Sequence, residues 1–276
     1  MVRKEAVSGY FYPGEAGELQ SLLERFKEVV ISKEYPGIKD VSGVISPHAG
    51  YIYSGVTASY AHYLLSLLPP AETIVLLGPN HRGIGERVAL SGAQRWQTPF
   101  GLVPVDIESR EFLLSYSTIF SIDDRAHQFE HSIEVQLPFL QYFLPYSFSI
   151  LPISLFSQDL ATSRAIGEAL FALSQRKRLF LLASSDFSHY EREAVARSKD
   201  AEVIERICAL DVEGFFRVLR EKDISVCGPG GIAALMVYHA QRGGKEAVLL
   251  HYTTSGEVTG DTHQVVGYAA IFFPLS

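Results

Sequence analysis

Three apolar runs along the chain end in the same way. Val41–Ser46 gives way to Pro47-His48. Thr73–Leu77 gives way to Gly78-Pro79-Asn80-His81, and Leu179–Ser184 to Ser185-Asp186-Phe187-Ser188-His189-Tyr190. A short continuous apolar run is the pattern of a strand covered on both faces. Side chains just past the carboxyl end of such a strand lie where open α/β sheets gather their ligands. The pattern therefore predicts that several histidines are delivered to one place.

The remaining pattern alternates between helical and strand spacing. Leu19, Leu22, Leu23, Phe26, Val29 and Val30 recur at helical intervals, and Tyr35-Pro36-Gly37 reads as the stop. Further helices are expected from about Gly55 to Leu68, ended by Pro69-Pro70, and over 107–116, 158–174, Glu191–Ala209 and Glu213–Glu221. Another opens after Cys227 and reaches about Arg242. Asp123–Phe143 reads as one helix kinked near Pro138. Strands are expected at Val88–Ser91, 101–105, Phe148–Ile153, Ala247–Thr254 and Val265–Phe273, the last two joined by the loop Ser255–His263. This alternation predicts an α/β fold: one domain over residues 1–276, with a central mixed sheet flanked by helices.

Composition changes that picture little. At 276 residues, 47% hydrophobic and 20% charged, the chain can bury a large core. The balance of 24 basic and 31 acidic side chains leaves a net charge of −7, and the basic residues are scattered. No nucleic-acid-binding face is expected. The two cysteines, Cys208 and Cys227, make no disulfide framework, which favours a reducing compartment. The first residues lack the apolar core of a signal peptide, and no run approaches the ~20 apolar residues of a membrane span. A cytoplasmic protein with no membrane partner is the expectation.

His48, His81, Asp186 and His189 share one topological position, just past strand ends. Neutral imidazoles bind zinc, iron or copper, and a carboxylate or thiolate usually completes the set. Cys227 precedes Gly228-Pro229-Gly230-Gly231 at an expected helix start, where the dipole and free amides favour a thiolate. Cys208, beside Ile207, reads as an inert helix cysteine. A second arrangement, His127-x-x-Glu130-His131, matches the short inverted zinc-protease signature. On one helix its two histidines would share a face, which leaves a zinc hydrolase open. The alternative is that Glu130 and His131 line the same pocket or orient its ligands. Tyr51, Tyr53, Trp96 and Tyr190 are candidates for an aromatic wall, with Tyr53 favoured because it follows His48. Asp261, on the last loop with Gly256 and Gly260, is placed to close over the site.

These motifs carry a resemblance. Ala6–Gly14, Pro47-His48-Ala49-Gly50-Tyr51, Leu77–His81, Glu130–Pro138, Ser184–Tyr190, Cys227–Gly230 and Thr254–Asp261 together look like the Memo family, in order and over nearly the whole chain. Its microbial members are also called AmmeMemoRadiSam system protein B. The family is similar in fold to class III extradiol dioxygenases, which hold non-haem iron. The resemblance implies that His48 and His81 occupy metal-ligand positions. Cys227 looks like the residue at the third position, where the dioxygenases have a glutamate. His189, with Asp186 beside it, takes the place of the acid/base histidine. Thiolate alters the charge and softness of the metal, so catechol ring opening is not carried over. The expectation is an iron or copper redox protein, with zinc also chemically suitable. A non-catalytic module for a small-molecule, peptide or anionic ligand is the rival, because mammalian Memo proteins are similar and are regarded as signalling adaptors. The system name implies association with a radical SAM protein. Self-association stays open.

Overall fold

Alternate side chains of the three apolar runs face opposite ways, and this fixes the layers. Ile45, Val75, Leu77, Leu181 and Ala183 enter one core, while Val44, Ile74, Leu76, Phe180 and Leu182 enter another. Such strands need helices on both faces, which the chain supplies. The computed structural model describes residues 1–33, 35 and 38–275.

In chain order the elements are β1 (Val2–Arg3), α1 (Ala16–Val30), β2 (Asp40–Ser46), α2 (Tyr51–Ser66), β3 (Thr73–Pro79), β4 (Val88–Leu90), β5 (Arg95–Thr98), β6 (Gly101–Pro104), α3 (Ile107–Tyr116) and β7 (Ser121–Ile122). The chain continues through α4 (Arg125–Gln128), α5 (Gln136–Phe143), β8 (Ser149–Leu155), α6 (Leu160–Ser174), β9 (Leu179–Ser184) and β10 (His189–Glu191). It ends with α7 (Glu193–Cys208), α8 (Val212–Glu221), α9 (Pro229–Gln241), β11 (Val248–Thr254), α10 (Gly256–Thr259) and β12 (Val265–Leu275).

Among the described residues the main sheet has nine strands, ordered β10-β12-β2-β9-β3-β8-β4-β7, with β11 also on β12. Strands β2, β9, β3 and β8 are parallel neighbours, and β12 and β4 border them antiparallel. The sheet is thus mixed, as the pattern predicts. One face carries α3, α6, α7, α8 and α9, and the other α1, α2 and α5. A small sheet, β1-β5-β6, lies apart from the main one. No helix among the described residues is long and apolar enough to cross a membrane.

Some boundaries move for identifiable reasons. Helix α2 starts at Tyr51, four residues before the expected Gly55, because Gly50 serves as its N-cap. Pro36 and Gly37, the expected stop of the first helix, lie outside the described residues; α1 ends at Val30. Asp123–Phe143 is not one kinked helix. It is the single turn α4, an irregular stretch over 129–135, and then α5, which holds Pro138 within its first turn where a missing donor is harmless. The helix expected from Glu191 begins at Glu193, because His189 and Glu191 pair with β12 instead.

Candidate metal centre

The order β2-β9-β3 puts three carboxyl ends side by side. In register, Ser46 lies beside Ser184, and Leu77 beside Ala183. The residues that follow these strands therefore emerge together. Two glycines allow neighbouring segments to close on them. A Cβ at Gly78 would sit 2.6 Å from both Ile133 and Ser132 side chains, and one at Gly228 would sit 2.5 Å from the Ser184 carbonyl. Only glycine lets residues 130–136 and the Cys227 loop approach this closely.

His48 is buried. Its Nε2 lies 3.1 Å from Cys227 Sγ, and its Nδ1 lies 3.0 Å from Ser184 Oγ. Burial, then the neighbouring His131, His81 and His189, hold its pKa well below the ordinary imidazole range, so the ring is neutral. His81 is more open, and its Nδ1 lies 2.9 Å from Glu130 Oε1. The same carboxylate accepts the amides of His81, His131 and Ser132 at 2.7, 2.9 and 2.9 Å. Burial alone would raise the Glu130 carboxyl. The hydrogen bond from His81 and the adjacent imidazoles outweigh it and hold the pKa at about 2. This carboxylate–histidine pair fixes one imidazole nitrogen and leaves Nε2 for a ligand. Donor atoms of His48, His81 and Cys227 lie within 4.8 Å of one another.

Cys227 departs from the sequence expectation. It precedes the helix, with Gly228 as N-cap and Pro229 first in α9. Burial, then the charge of Asp186, push its thiol pKa up rather than down. The amide aimed at Sγ comes from Asp186, at 3.1 Å. A metal-binding thiolate here would thus form by proton displacement when the metal enters.

Asp186 and His189 flank this cluster. Asp186 Oδ1 accepts the His48 amide at 2.8 Å, and burial raises the carboxyl to about 6. His189 donates its amide to Ser225 Oγ at 2.9 Å, and its Nδ1 lies 2.8 Å from the Ser225 carbonyl. A carbonyl only accepts, so Nδ1 carries the proton and Nε2 is the basic nitrogen. Below His189, buried Asp200 of α7 accepts the Ser188 amide and hydroxyl at 3.0 and 2.6 Å.

His48, His81, Asp186 and His189 open into a cleft of about 680 Å³, lined also by Phe11, Tyr53, His131, Tyr190, Asp261 and Tyr268. His131 stacks on His81 with ring centres 4.6 Å apart, and burial lowers its pKa to about 4. Tyr190 is 74% exposed at the mouth and has φ of 58°, a strained value for a tyrosine. Helix α10 brings Ser255, Thr259 and Asp261 to the cleft, where the sequence puts the closing loop.

Other candidates fall elsewhere. His127 does not join His131: its Nε2 lies 3.1 Å from the Ala89 carbonyl, and its ring packs against Trp96. The short zinc-protease signature therefore has no common helix face on which to act. Trp96 is buried beneath the Arg3 guanidinium, and Tyr51 is buried with its hydroxyl on the Val135 carbonyl. Neither forms the aromatic wall. The sequence reading passed over Ser184, Gln136, Ser225 and Phe11 as site residues. Only Phe11 carried a signal, its place in the aromatic run Tyr10-Phe11-Tyr12; its ring meets His131 at a tilt of 37°, with ring centres 4.5 Å apart.

Fold and site define a class: a mixed α/β sheet protein with a His/His/Cys cluster at the carboxyl ends of parallel strands. The chain belongs to the Memo family, whose model, described as Memo-like protein, matches residues 3–272. A MEMO1 family protein of Nitrosopumilus maritimus is 42% identical over 278 residues, 99% of this chain and 100% of the relative. One from Methanosarcina acetivorans is 44% identical over 272 residues, 98% of each chain. Among solved structures, an uncharacterized protein from Escherichia coli K12 has a TM-score of 0.58 at 14% identity, covering 84% of this chain and 99% of that one. That likeness is one of fold.

Proposed function

We propose that this protein is a metal-dependent redox protein, with His48, His81 and Cys227 as ligands to iron or copper. The supporting observation is the grouping of their donor atoms within 4.8 Å, each imidazole backed by a second hydrogen bond on Nδ1. Two imidazoles and a sulfur suit borderline and soft metals, zinc included. Bound iron or copper would supply electron transfer or oxygen chemistry there. The chain's own groups would do the rest. His189 Nε2 holds or accepts a proton at the open side, and Asp186 orients the His48 loop through its amide. Tyr53, Tyr190 and Asp261 bound the space left for a substrate. Residues 1–276 would act as one Memo-like domain in the cytoplasm.

Anaerobic titration with Fe(II) and with Cu(I) tests it. One metal per chain is expected, with affinity falling by roughly 100-fold or more in His48→Ala, His81→Ala and Cys227→Ser. His189→Ala should keep the metal. Undiminished binding in the first three variants would sink the assignment.

The cleft favours a second reading, a binding module without chemistry. Two exposed tyrosines and several imidazoles line it, a surface suited to an anionic or peptide ligand. Titration with phosphorylated and carboxylated peptides, with and without metal, separates the two. Binding that metal abolishes would place both at one site, and no binding would remove the module.

A further inference from the structure

The run Glu130-His131-Ser132-Ile133-Glu134-Val135-Gln136 is irregular until its last residue. Its polar groups reach two imidazoles from one side. Glu130 accepts from His81 Nδ1 at 2.9 Å, so that nitrogen carries the proton. The case of His48 needs more steps. Ser184 Oγ has three hydrogen-bond partners: the Ser132 carbonyl at 2.6 Å, Gln136 Nε2 at 2.8 Å and His48 Nδ1 at 3.0 Å. Gln136 Nε2 also donates to the Pro47 carbonyl at 2.9 Å. That second bond fixes the amide, because a flipped Gln136 would set two carbonyl oxygens against each other. Gln136 is therefore a donor to Ser184. The Ser132 carbonyl only accepts, so it takes the one proton of the Ser184 hydroxyl. What remains for Ser184 is to accept from His48. Ser132, Gln136, Ser184 and His48 are all buried, so water does not offer an easy alternative partner.

We infer that Glu130–Gln136 is a tautomer clamp, in which Glu130 sets His81 directly while Ser132 and Gln136 set His48 through Ser184. Both rings then present Nε2 as the free lone pair. Ser184 and Gln136 are positioning residues in this arrangement, and the inference deepens the metal-centre reading on which its binding test rests. Free imidazoles of histidine favour the proton on Nε2, so the clamp reverses the intrinsic preference at both positions.

Long-range proton–nitrogen NMR of the imidazoles in metal-free protein at neutral pH reads the tautomer without any metal. His48 and His81 are expected to show the Nδ1–H pattern. Ser184→Ala should move His48 toward the Nε2–H pattern and weaken Zn2+ binding, measured by chelator competition, by about 10–100-fold. Ser184→Thr keeps the hydroxyl and should restore both. Gln136→Met should act in the same direction as Ser184→Ala. An Nε2–H pattern at His48 in the unaltered protein would overturn the clamp. So would a folded Ser184→Ala that retains the native pattern and native Zn2+ affinity. If Ser184→Ala fails to fold, the spectrum of the unaltered protein decides. Expected tautomers in a protein that takes up no metal would uphold the clamp and remove the metal reading.

Discussion

Two demands meet at Asp186. Its carboxylate holds the His48 loop by accepting the backbone amide, yet burial makes the charge costly and raises the pKa to about 6 from 3.8. His48, His81, His189, Cys227 and Tyr268 are titratable groups that face it. The folded carboxyl binds its proton more tightly than the unfolded one. Stability is therefore lost as pH rises from about 3.8 to about 6, and the penalty is full above that. In metal-free protein, Asp186→Asn keeps an oxygen for the His48 amide and removes the charge. Its melting temperature should rise by about 2–6 °C near neutral pH, with the gain fading toward acid. Calorimetry across pH checks this, and an equal gain at every pH would rule out charge as the cause. The protonation of Cys227 follows from the same physics. The sequence shows a cysteine before a helix, whereas burial, which decides the thiol's state, depends on what packs over it.

The strand ends were legible because parallel strands covered on both faces leave an unmistakable apolar run. Strand order was not. The sequence shows three histidines past three strands, and only the order β2-β9-β3 puts them together. The stretch 123–143 misled for a specific reason. Its apolar residues suit a helix, but Glu130 accepts amides from the 81 and 131–132 backbone, and Glu134 those of Ala6 and Val7. Side chains that satisfy other segments hold this one out of helical geometry. Close approach between elements is equally invisible in one dimension, and Gly228 tests its cost. Gly228→Ala would drive a Cβ toward the Ser184 carbonyl and the Ser185 side chain. A loss of about 1–3 kcal/mol in denaturant unfolding is expected, with weakened metal binding as Cys227 shifts. Unchanged stability would show that the loop can move away freely.

Across the whole molecule, buried Glu134 ties the N-terminal residues to the site. It pairs with Arg3, accepts the Ala6 and Val7 amides, and takes the Tyr12 hydroxyl at 2.7 Å. Between the Val7 and Tyr12 anchors, Phe11 is laid against His131. Glu134→Ala would strand the Arg3 charge in the interior and should cost about 3–5 kcal/mol. Limited proteolysis should then cut before residue 16, where the first helix begins; persistent resistance would contradict the tie. His48 and Cys227, in contact through sulfur and imidazole, are 179 residues apart in sequence. Contacts of such separation form late, after local helices and hairpins. During synthesis the residues around Cys227 emerge long after His48 and His81. A nascent chain can therefore display both imidazoles while lacking the thiol. If these three residues hold a metal, an ion captured early would meet a weaker, more exposed pair of ligands, and faithful loading would have to wait until Cys227 has emerged and folded onto them.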